Sequence, residues 1–259
     1  MPFGEVHRRL SGRVSLSVSG LPTTIRITAD HLERVYLPLL AMLDDMRRTR
    51  GGRVLAGLAG IPGSGKSTFT AVLSHVADAV LGPGRLVAVG LDGWHWPNAV
   101  LDARTTRDAA GREIPLRRRK GGPESYDVQA FAAALRELRA ADQAVSLPIY
   151  DRRRHEPVAN GLTVDPSVTL VLVEGNFVLS DATPWARVAA MLEPKLFLTC
   201  DRTEAGAGVV DRHVRGGATA EEAVAKFEAN DRLNTEFVLE TAARIDVRIR
   251  VDDETGDLR

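Results

Sequence analysis

The 259-residue chain has one cysteine, Cys200. A lone cysteine excludes an internal disulfide and fits a reducing compartment. Its expected place is a small buried position at a strand end. Net charge is missing too, because Lys+Arg 34 and Asp+Glu 34 cancel. No global field then pulls the chain toward nucleic acid or a membrane surface. No uninterrupted apolar run approaches membrane-spanning length. The start, Met1-Pro2-Phe3-Gly4-Glu5-Val6-His7-Arg8-Arg9, lacks the apolar core of a secretory signal, so a cytoplasmic location is expected. Internal repeats and low-complexity tracts are absent as well. What is left is a globular composition, long enough for one large α/β domain or a domain with a lid.

One stretch organises the rest: Gly60-Ile61-Pro62-Gly63-Ser64-Gly65-Lys66-Ser67-Thr68. It fits G-x-x-x-x-G-K-[ST], a loop that cradles phosphates. A short apolar run, Arg53 to Ala59, precedes it and reads as a buried strand. Phe69, Val72, Leu73, Val76 and Val80 follow at helical spacing. Strand, glycine-rich loop and helix form the context the motif needs. Gly60, Gly63 and Gly65 allow a tight turn with amides aimed at phosphate oxygens, beside Ser64 and Thr68. The helix N-terminus adds partial positive charge. Lys66 is expected on the β- and γ-phosphates and Ser67 on Mg²⁺, so ATP and Mg²⁺ are the expected cofactors.

The remaining pattern alternates strands with helices. Val14–Val18 and Thr23–Thr28 suggest a hairpin around Gly20 and Pro22. Residues 30–48 read as a helix capped by Asp30, with Leu32, Val35, Tyr36, Leu39, Leu40, Leu43 and Met46 as its apolar stripe. Further strands are expected at 85–91, 168–173, 195–200 and 245–251, and an edge or strand-end segment at 145–150, where Pro148 sits. Residues 99–126 look irregular, and 151–157 look like a charged loop. Asp127 is placed to cap a helix at 128–140, and a short helix is expected at 184–192. Residues 203–215 read as a helix weakened by Gly206 and Gly208. Thr219 and Glu222 suggest a capping box for a helix at 220–242. The sum is a three-layer α/β/α sandwich with a mostly parallel sheet.

Ligands of such sheets bind beyond the carboxyl ends of strands. Two acids stand there. Asp92 follows the strand at 85–91 and is the best general base; an ordinary Asp-Gly turn is the alternative. Glu174 ends an apolar strand, where a carboxylate is poorly placed unless it meets a cation or ligand; a capped turn before Gly175 is the alternative. His95 either bonds substrate or packs between Trp94 and Trp96. Arg117, Arg118, Arg119 and Lys120, like Arg152, Arg153 and Arg154, face either solvent or an anion. Arg212 and Arg215 lie on the glycine-weakened helix, either as surface charges or on a lid that brings a cation to the transferring phosphoryl group.

Together, Gly60–Thr68, Leu91-Asp92-Gly93-Trp94-His95, Arg119-Lys120-Gly121-Gly122-Pro123-Glu124-Ser125-Tyr126-Asp127, Pro148-Ile149-Tyr150-Asp151-Arg152 and Val173-Glu174-Gly175-Asn176 resemble the phosphoribulokinase/uridine kinase superfamily. The closest likeness is to bacterial pantothenate kinases and their fructose-phosphorylating or uncharacterised relatives, over roughly residues 30–250. The resemblance implies a P-loop nucleoside triphosphate hydrolase fold with a helical lid near 203–217. It implies residues 1–50 as an extension packed on a kinase domain at 51–259. It implies Lys66 on the phosphates, Ser67 and Glu174 at the metal, Asp92 as base, Arg212 as lid arginine, and Tyr126, Asp151 and Arg152 on the acceptor side. Two departures bear on the acceptor. Arginines follow Tyr150-Asp151 where pantothenate kinases carry a Tyr-Ser-His segment. Glu228-Ala229-Asn230-Asp231-Arg232-Leu233-Asn234 stands where those enzymes have an aromatic pocket. The expected activity is ATP-dependent phosphorylation of a sugar, nucleoside or pantothenate-like alcohol. The expected partner is therefore a small molecule, with no nucleic acid and no membrane; a homodimer stays open. The alternative is a P-loop ATPase or regulator without an acceptor; the Asn-Lys-x-Asp segment of GTPases is absent.

Overall fold

The computed structural model describes residues 10–250, apart from 19 and 109. The readings made at Met1–Arg9 and at Val251 lie outside the described residues. Strand β3, Val54–Gly60, is buried at every position. Strand β9, Leu170–Glu174, is buried at all but its last. Strands apolar on both faces require cover on both faces. They form the middle of a five-stranded sheet in the order β11-β10-β3-β9-β4, with β4 at Leu86–Gly90, β10 at Lys195–Thr199 and β11 at Val247–Arg250. Every pairing is parallel.

Alternation along the strands divides the core in two. Leu55, Ala59, Val171, Val173 and Phe197 face one cluster. Val54, Ala56, Leu58, Leu170, Leu172, Leu196 and Leu198 face the other. The second cluster is covered by two helices. Helix α1 runs through Ala29–His31, a π turn at Leu32–Tyr36, and Leu37–Arg50; helix α2 is Lys66–Val80. The apolar stripe of α1 from Leu32 to Leu43 is buried, but the cap is Thr28 rather than Asp30: the Thr28 hydroxyl accepts from the His31 amide. An antiparallel hairpin, β1 Gly12–Val18 with β2 Leu21–Ile27, packs its inner side chains on the same cluster.

Several segments differ from their sequence reading. Residues 99–126 are not wholly irregular. They hold α3 at Asn98–Ala103 and a small hairpin of β5 Thr105–Arg107 with β6 Glu113–Pro115. After helix α4, Val128–Ala140, capped by Asp127 as expected, strand β7 at Val145–Asp151 pairs with β8 at Glu156–Val164. The polar face of β8 hid it from a hydrophobic pattern, and residues 151–157 are no free loop: Asp151, Glu156 and Pro157 pair in the two strands and 152–155 make the hairpin turn. Helix α5 is confined to Ala186–Ala189.

Helix α6, Arg202–Arg215, is continuous despite its two glycines, because the Asp201 carboxylate caps the Thr203 and Glu204 amides. Gly206 has a packing role: a Cβ there would meet the Phe227 ring at 3.0 Å. Helix α7 starts in the expected capping box and runs through Ala220–Lys226, a π turn at Phe227–Asp231, and Arg232–Thr241. No helix among the described residues is long and apolar enough to cross a membrane.

Two glycines give opposite expectations. Gly63 has φ +80°, and a Cβ there would lie 2.3 Å from the Ala205 carbonyl of α6. Gly63→Ala should therefore cost about 1–3 kcal/mol. Gly208 lies in α6 with nothing near its missing Cβ. Gly208→Ala should stabilise by about 0.5–1 kcal/mol. Urea denaturation of both variants checks the signs; a destabilised Gly208→Ala would mean that α6 is not helical there.

Candidate active site

The parallel register gathers the polar groups. Glu174 of β9 lies opposite Leu58 of β3 and Gly90 of β4. Beyond β3 comes the phosphate loop, and two residues beyond Gly90 comes Asp92 in a 3₁₀ turn, Leu91–Trp94. The loop turns at Gly63 and Gly65, whose φ values are +80° and +84°. Gly60 is needed for a different reason. A side chain there would collide with the Leu198 carbonyl and Ser64 Oγ, both at 2.7 Å.

Lys66 is buried. Its Nζ donates to the Gly60 and Ile61 carbonyls, both at 2.9 Å, and to Ser64 Oγ at 3.3 Å. Burial pushes its pKa down to about 8, against the restoring pull of Glu174 and Asp92. The Ser67 hydroxyl donates to Glu174 Oε1 at 3.4 Å. Burial pushes the Glu174 carboxyl up, Lys66 opposes it, and Asp92 adds to the rise. Thr68 follows in the first turn of α2 without a side-chain hydrogen bond to another described residue.

Asp92 keeps 41% of its side-chain surface open, yet four groups converge on it. Burial pushes its pKa up, but His95, Arg152, the Tyr126 hydroxyl and Lys66 outweigh it, and the net direction is down. The Tyr126 hydroxyl donates to Oδ1 at 3.3 Å and Arg152 Nη2 to Oδ2 at 3.0 Å. His95 is buried, which lowers its own pKa against the pull of Asp92. Its Nδ1 lies 2.9 Å from the Asp92 backbone carbonyl. A carbonyl only accepts, so the neutral ring carries its proton on Nδ1 and leaves Nε2 as an acceptor. His95 packs between Tyr126 and Tyr150, with ring centroids at 4.0 and 5.2 Å. Gly93 is what lets β7 approach: a Cβ there would sit 2.5 Å from the Pro148 carbonyl.

Asp151 stands apart from this cluster. Its carboxylate accepts from the Arg153 and Arg154 amides at 2.8 and 3.1 Å and so builds the β7–β8 turn. The guanidinium of Arg212, on α6, has no ion-paired or hydrogen-bonded partner among the described residues. It is exposed to the cleft, with its nearest charges at Asp231, Arg152 and Asp92.

The arginine run is sorted by contacts that the sequence did not reveal. Arg117 pairs with Asp102, and Arg118 is exposed. Arg119 is buried and donates to Glu124 Oε1 at 2.9 Å, Asn230 Oδ1 at 2.5 Å and Asn234 Oδ1 at 3.3 Å. Asn230 and Asn234 in turn donate to the Lys120 and Gly121 carbonyls at 2.8 and 2.9 Å. Two asparagines four apart inside a helix are poor helix formers, and that was the one available signal. The same π turn holds α6, because Asp231 Oδ2 lies 2.9 Å from His213 Nε2.

No family model matches the chain. It is 29% identical over 243 residues to the uncharacterised protein YggC of Escherichia coli (strain K12), covering 93% of this chain and 97% of that protein. It is 31% identical over 189 residues to a protein of Schizosaccharomyces pombe (strain 972 / ATCC 24843) provisionally named a uridine kinase, covering 72% of this chain and 78% of that protein. Among solved structures, a protein of Silicibacter sp. TM1040 provisionally named a fructose transport system kinase superposes with a TM-score of 0.72 at 28% identity. That superposition covers 82% of this chain and 97% of that one.

The depressed Lys66 has a measurable consequence. Its pKa of about 8 belongs to the nucleotide-free loop. Phosphate oxygens favour the charged form, so nucleotide binding raises the pKa and takes up a proton wherever the free amine is partly neutral. At pH 8, ATP binding should draw roughly half a proton onto this group, and at about pH 6.5 close to none. Calorimetry in buffers of differing ionisation enthalpy measures this. Zero uptake at pH 8 would mean that Lys66 is fully charged before nucleotide arrives.

Proposed function

The chain belongs to the phosphoribulokinase/uridine kinase superfamily of P-loop kinases, and from that premise we propose that it transfers the γ-phosphoryl group of ATP to a hydroxyl of a small metabolite. One arrangement supports this above all. The phosphate loop with Lys66, the Ser67–Glu174 pair and the Asp92 carboxylate stand at the ends of three neighbouring parallel strands. That is a phosphate cradle, a metal-side pair of oxygens and a base within one cleft.

Each residue then has a task. The loop amides and the N-terminus of α2 bind the phosphates. Lys66 exchanges its bonds to the Gly60 and Ile61 carbonyls for bonds to phosphate oxygens. Asp92 orients the acceptor hydroxyl and takes its proton. The acceptor oxygen bonds to the γ-phosphorus as the bond to the β-phosphate oxygen breaks, and the electron pair leaves with ADP. Arg212, on a helix that acts as a lid, offers its unpaired guanidinium to the transferring group.

The Ser67 hydroxyl and Glu174 carboxylate fit Mg²⁺. They are hard oxygen donors, and no cluster of three or more His, Cys, Asp or Glu side chains forms a protein cage among the described residues. Mg²⁺ is commonly held by one or two protein oxygens together with substrate phosphates. When bound it neutralises phosphate charge. The acceptor is a sugar, nucleoside or pantothenate-like alcohol, and neither nucleic acid nor membrane takes part. The reaction belongs to the cytoplasm.

An ADP-release screen over sugars, nucleosides, pantothenate and related alcohols tests the reading, with Asp92→Asn as the blank. The variant should keep ATP affinity and lose roughly 10²–10⁴-fold in kcat. Full turnover in Asp92→Asn would remove this carboxylate from the chemistry. ADP release that no alcohol stimulates would favour an ATPase.

A further inference from the structure

The acceptor side of the cleft holds cations that its carboxylates do not use up. Of the two basic runs, Arg117, Arg118, Arg119, Arg153 and Arg154 are accounted for: they are paired, bolted into the helix network or exposed on turns. Lys120 and Arg152 remain, and both lie by one ring. Lys120 Nζ lies 5.1 Å and Arg152 Cζ 5.8 Å from the centroid of Tyr150.

Lys120 is half-buried and has no carboxylate within ion-pairing distance among the described residues. Its ammonium donates to two neutral oxygens, Asn98 Oδ1 and the His155 carbonyl, both at 2.6 Å. An ammonium has three protons, so one donor is unspent. The backbone of Lys120 is also fixed, because Asn230 holds its carbonyl and Asn234 holds that of Gly121. A long cationic side chain is rarely anchored this firmly for solvation alone; pinning it costs side-chain entropy.

Arg152 is placed differently. It pairs with Asp92, and the two side chains are 39% and 41% exposed. An ion pair this open is weakly held and exchangeable. A guanidinium binds carboxylate or phosphate through its planar fork and can move from one anion to another. While it stays on Asp92 it also occupies the base.

We propose that the acceptor is an alcohol bearing its own anionic group, a carboxylate or a phosphate, and that Arg152 moves from Asp92 onto that group while Lys120, beside the same Tyr150 ring, also holds it. This rests on the kinase reading above. The exchange does two things at once. It anchors the substrate by charge, and it frees Asp92 to take the hydroxyl proton. A neutral alcohol leaves Arg152 on Asp92 and finds the base occupied.

Matched acceptors test this on the full-length chain with ATP and Mg²⁺. The neutral arm is glycerol, ribose and fructose. The phosphate arm is glycerol 3-phosphate, ribose 5-phosphate and fructose 6-phosphate. The carboxylate arm is glycerate, ribonate and gluconate. Binding of each compound is measured calorimetrically with a non-hydrolysable ATP analogue in place, and turnover by ADP release. At least one anionic compound should bind and outperform its neutral counterpart in kcat/KM by about 100-fold or more, and the responding arm identifies the anion.

Arg152→Gln, checked for an unchanged thermal melt, should raise KM for that compound by about 10-fold or more, and Lys120→Gln by a smaller factor. The acidic limb of kcat/KM should also move to higher pH in Arg152→Gln, because Asp92 loses the cation that holds its pKa down. A merely structural role would lower the rate at every pH without moving that limb. The proposal is overturned if a neutral alcohol matches its anionic counterpart, if Arg152→Gln leaves KM and the acidic limb unchanged, or if neither anionic arm shows Arg152-dependent binding. Arg152-dependent binding with no ADP release from any compound would instead support the anion site and count against the kinase reading.

Discussion

The cleft depends on one buried ammonium. Asp92 and Glu174 stand at the ends of adjacent parallel strands, close enough that Asp92 raises the pKa of Glu174. Two carboxylates so placed repel, and burial penalises their charge further. Lys66 lowers the pKa of both, and its own pKa is depressed by burial. Lys66 could not be buried alone at modest cost. The coupling of the three groups makes the site sensitive to what enters it. An incoming phosphate competes with both carboxylates for Lys66, and a cation beside Glu174 relieves the repulsion that its charge creates.

Sheet register supplies the positions, and close backbone contacts supply the precision. Gly60, Gly63 and Gly93 each sit where a Cβ would meet a carbonyl oxygen within 2.7 Å. At Gly60 the neighbour is β10, at Gly63 it is α6, and at Gly93 it is β7. These contacts bring the phosphate loop against α6, and the turn that carries Asp92 against β7, which carries Tyr150 and leads into Arg152. The glycines thus act less as hinges than as places where two pieces of backbone touch.

Much of this was legible in the residue order. The phosphate loop, the carboxylates at strand ends and the parallel sheet all follow from local patterns: an apolar run, a turn, a helical stripe. Asp127 and Thr219 cap as their spacing predicts. What stayed hidden depends on contacts between distant segments. Nothing near Arg119 signals that it will be buried against Asn230 and Asn234, more than a hundred positions away. Nothing near Asp151 signals that two amides of its own turn will occupy it. Strand β8 is polar along its exposed face and pairs only with β7, so its alternation carries little hydrophobic contrast. Asp30 was a reasonable cap, but Thr28 stood two residues earlier with the extended backbone that a cap requires.

The helix network also explains how two sides of a cleft can share a reference point. Asn230 and Asp231 are consecutive in the π turn of α7. Asn230 holds the segment that positions Lys120, and Asp231 holds His213 of α6. A π turn inserts one residue per turn and so aims neighbouring side chains in directions that a regular helix would not allow together. The Lys120 segment and α6 are therefore both referred to the same short stretch of backbone. The buried amide-to-carbonyl bonds on one side leave little slack, since breaking any of them strands a buried polar group. The His213–Asp231 contact on the other side is enclosed as well, with side chains 14% and 12% exposed. Both attachments thus tie α6 and the Lys120 segment to one π turn, and neither can be released without exposing or stranding a buried polar group.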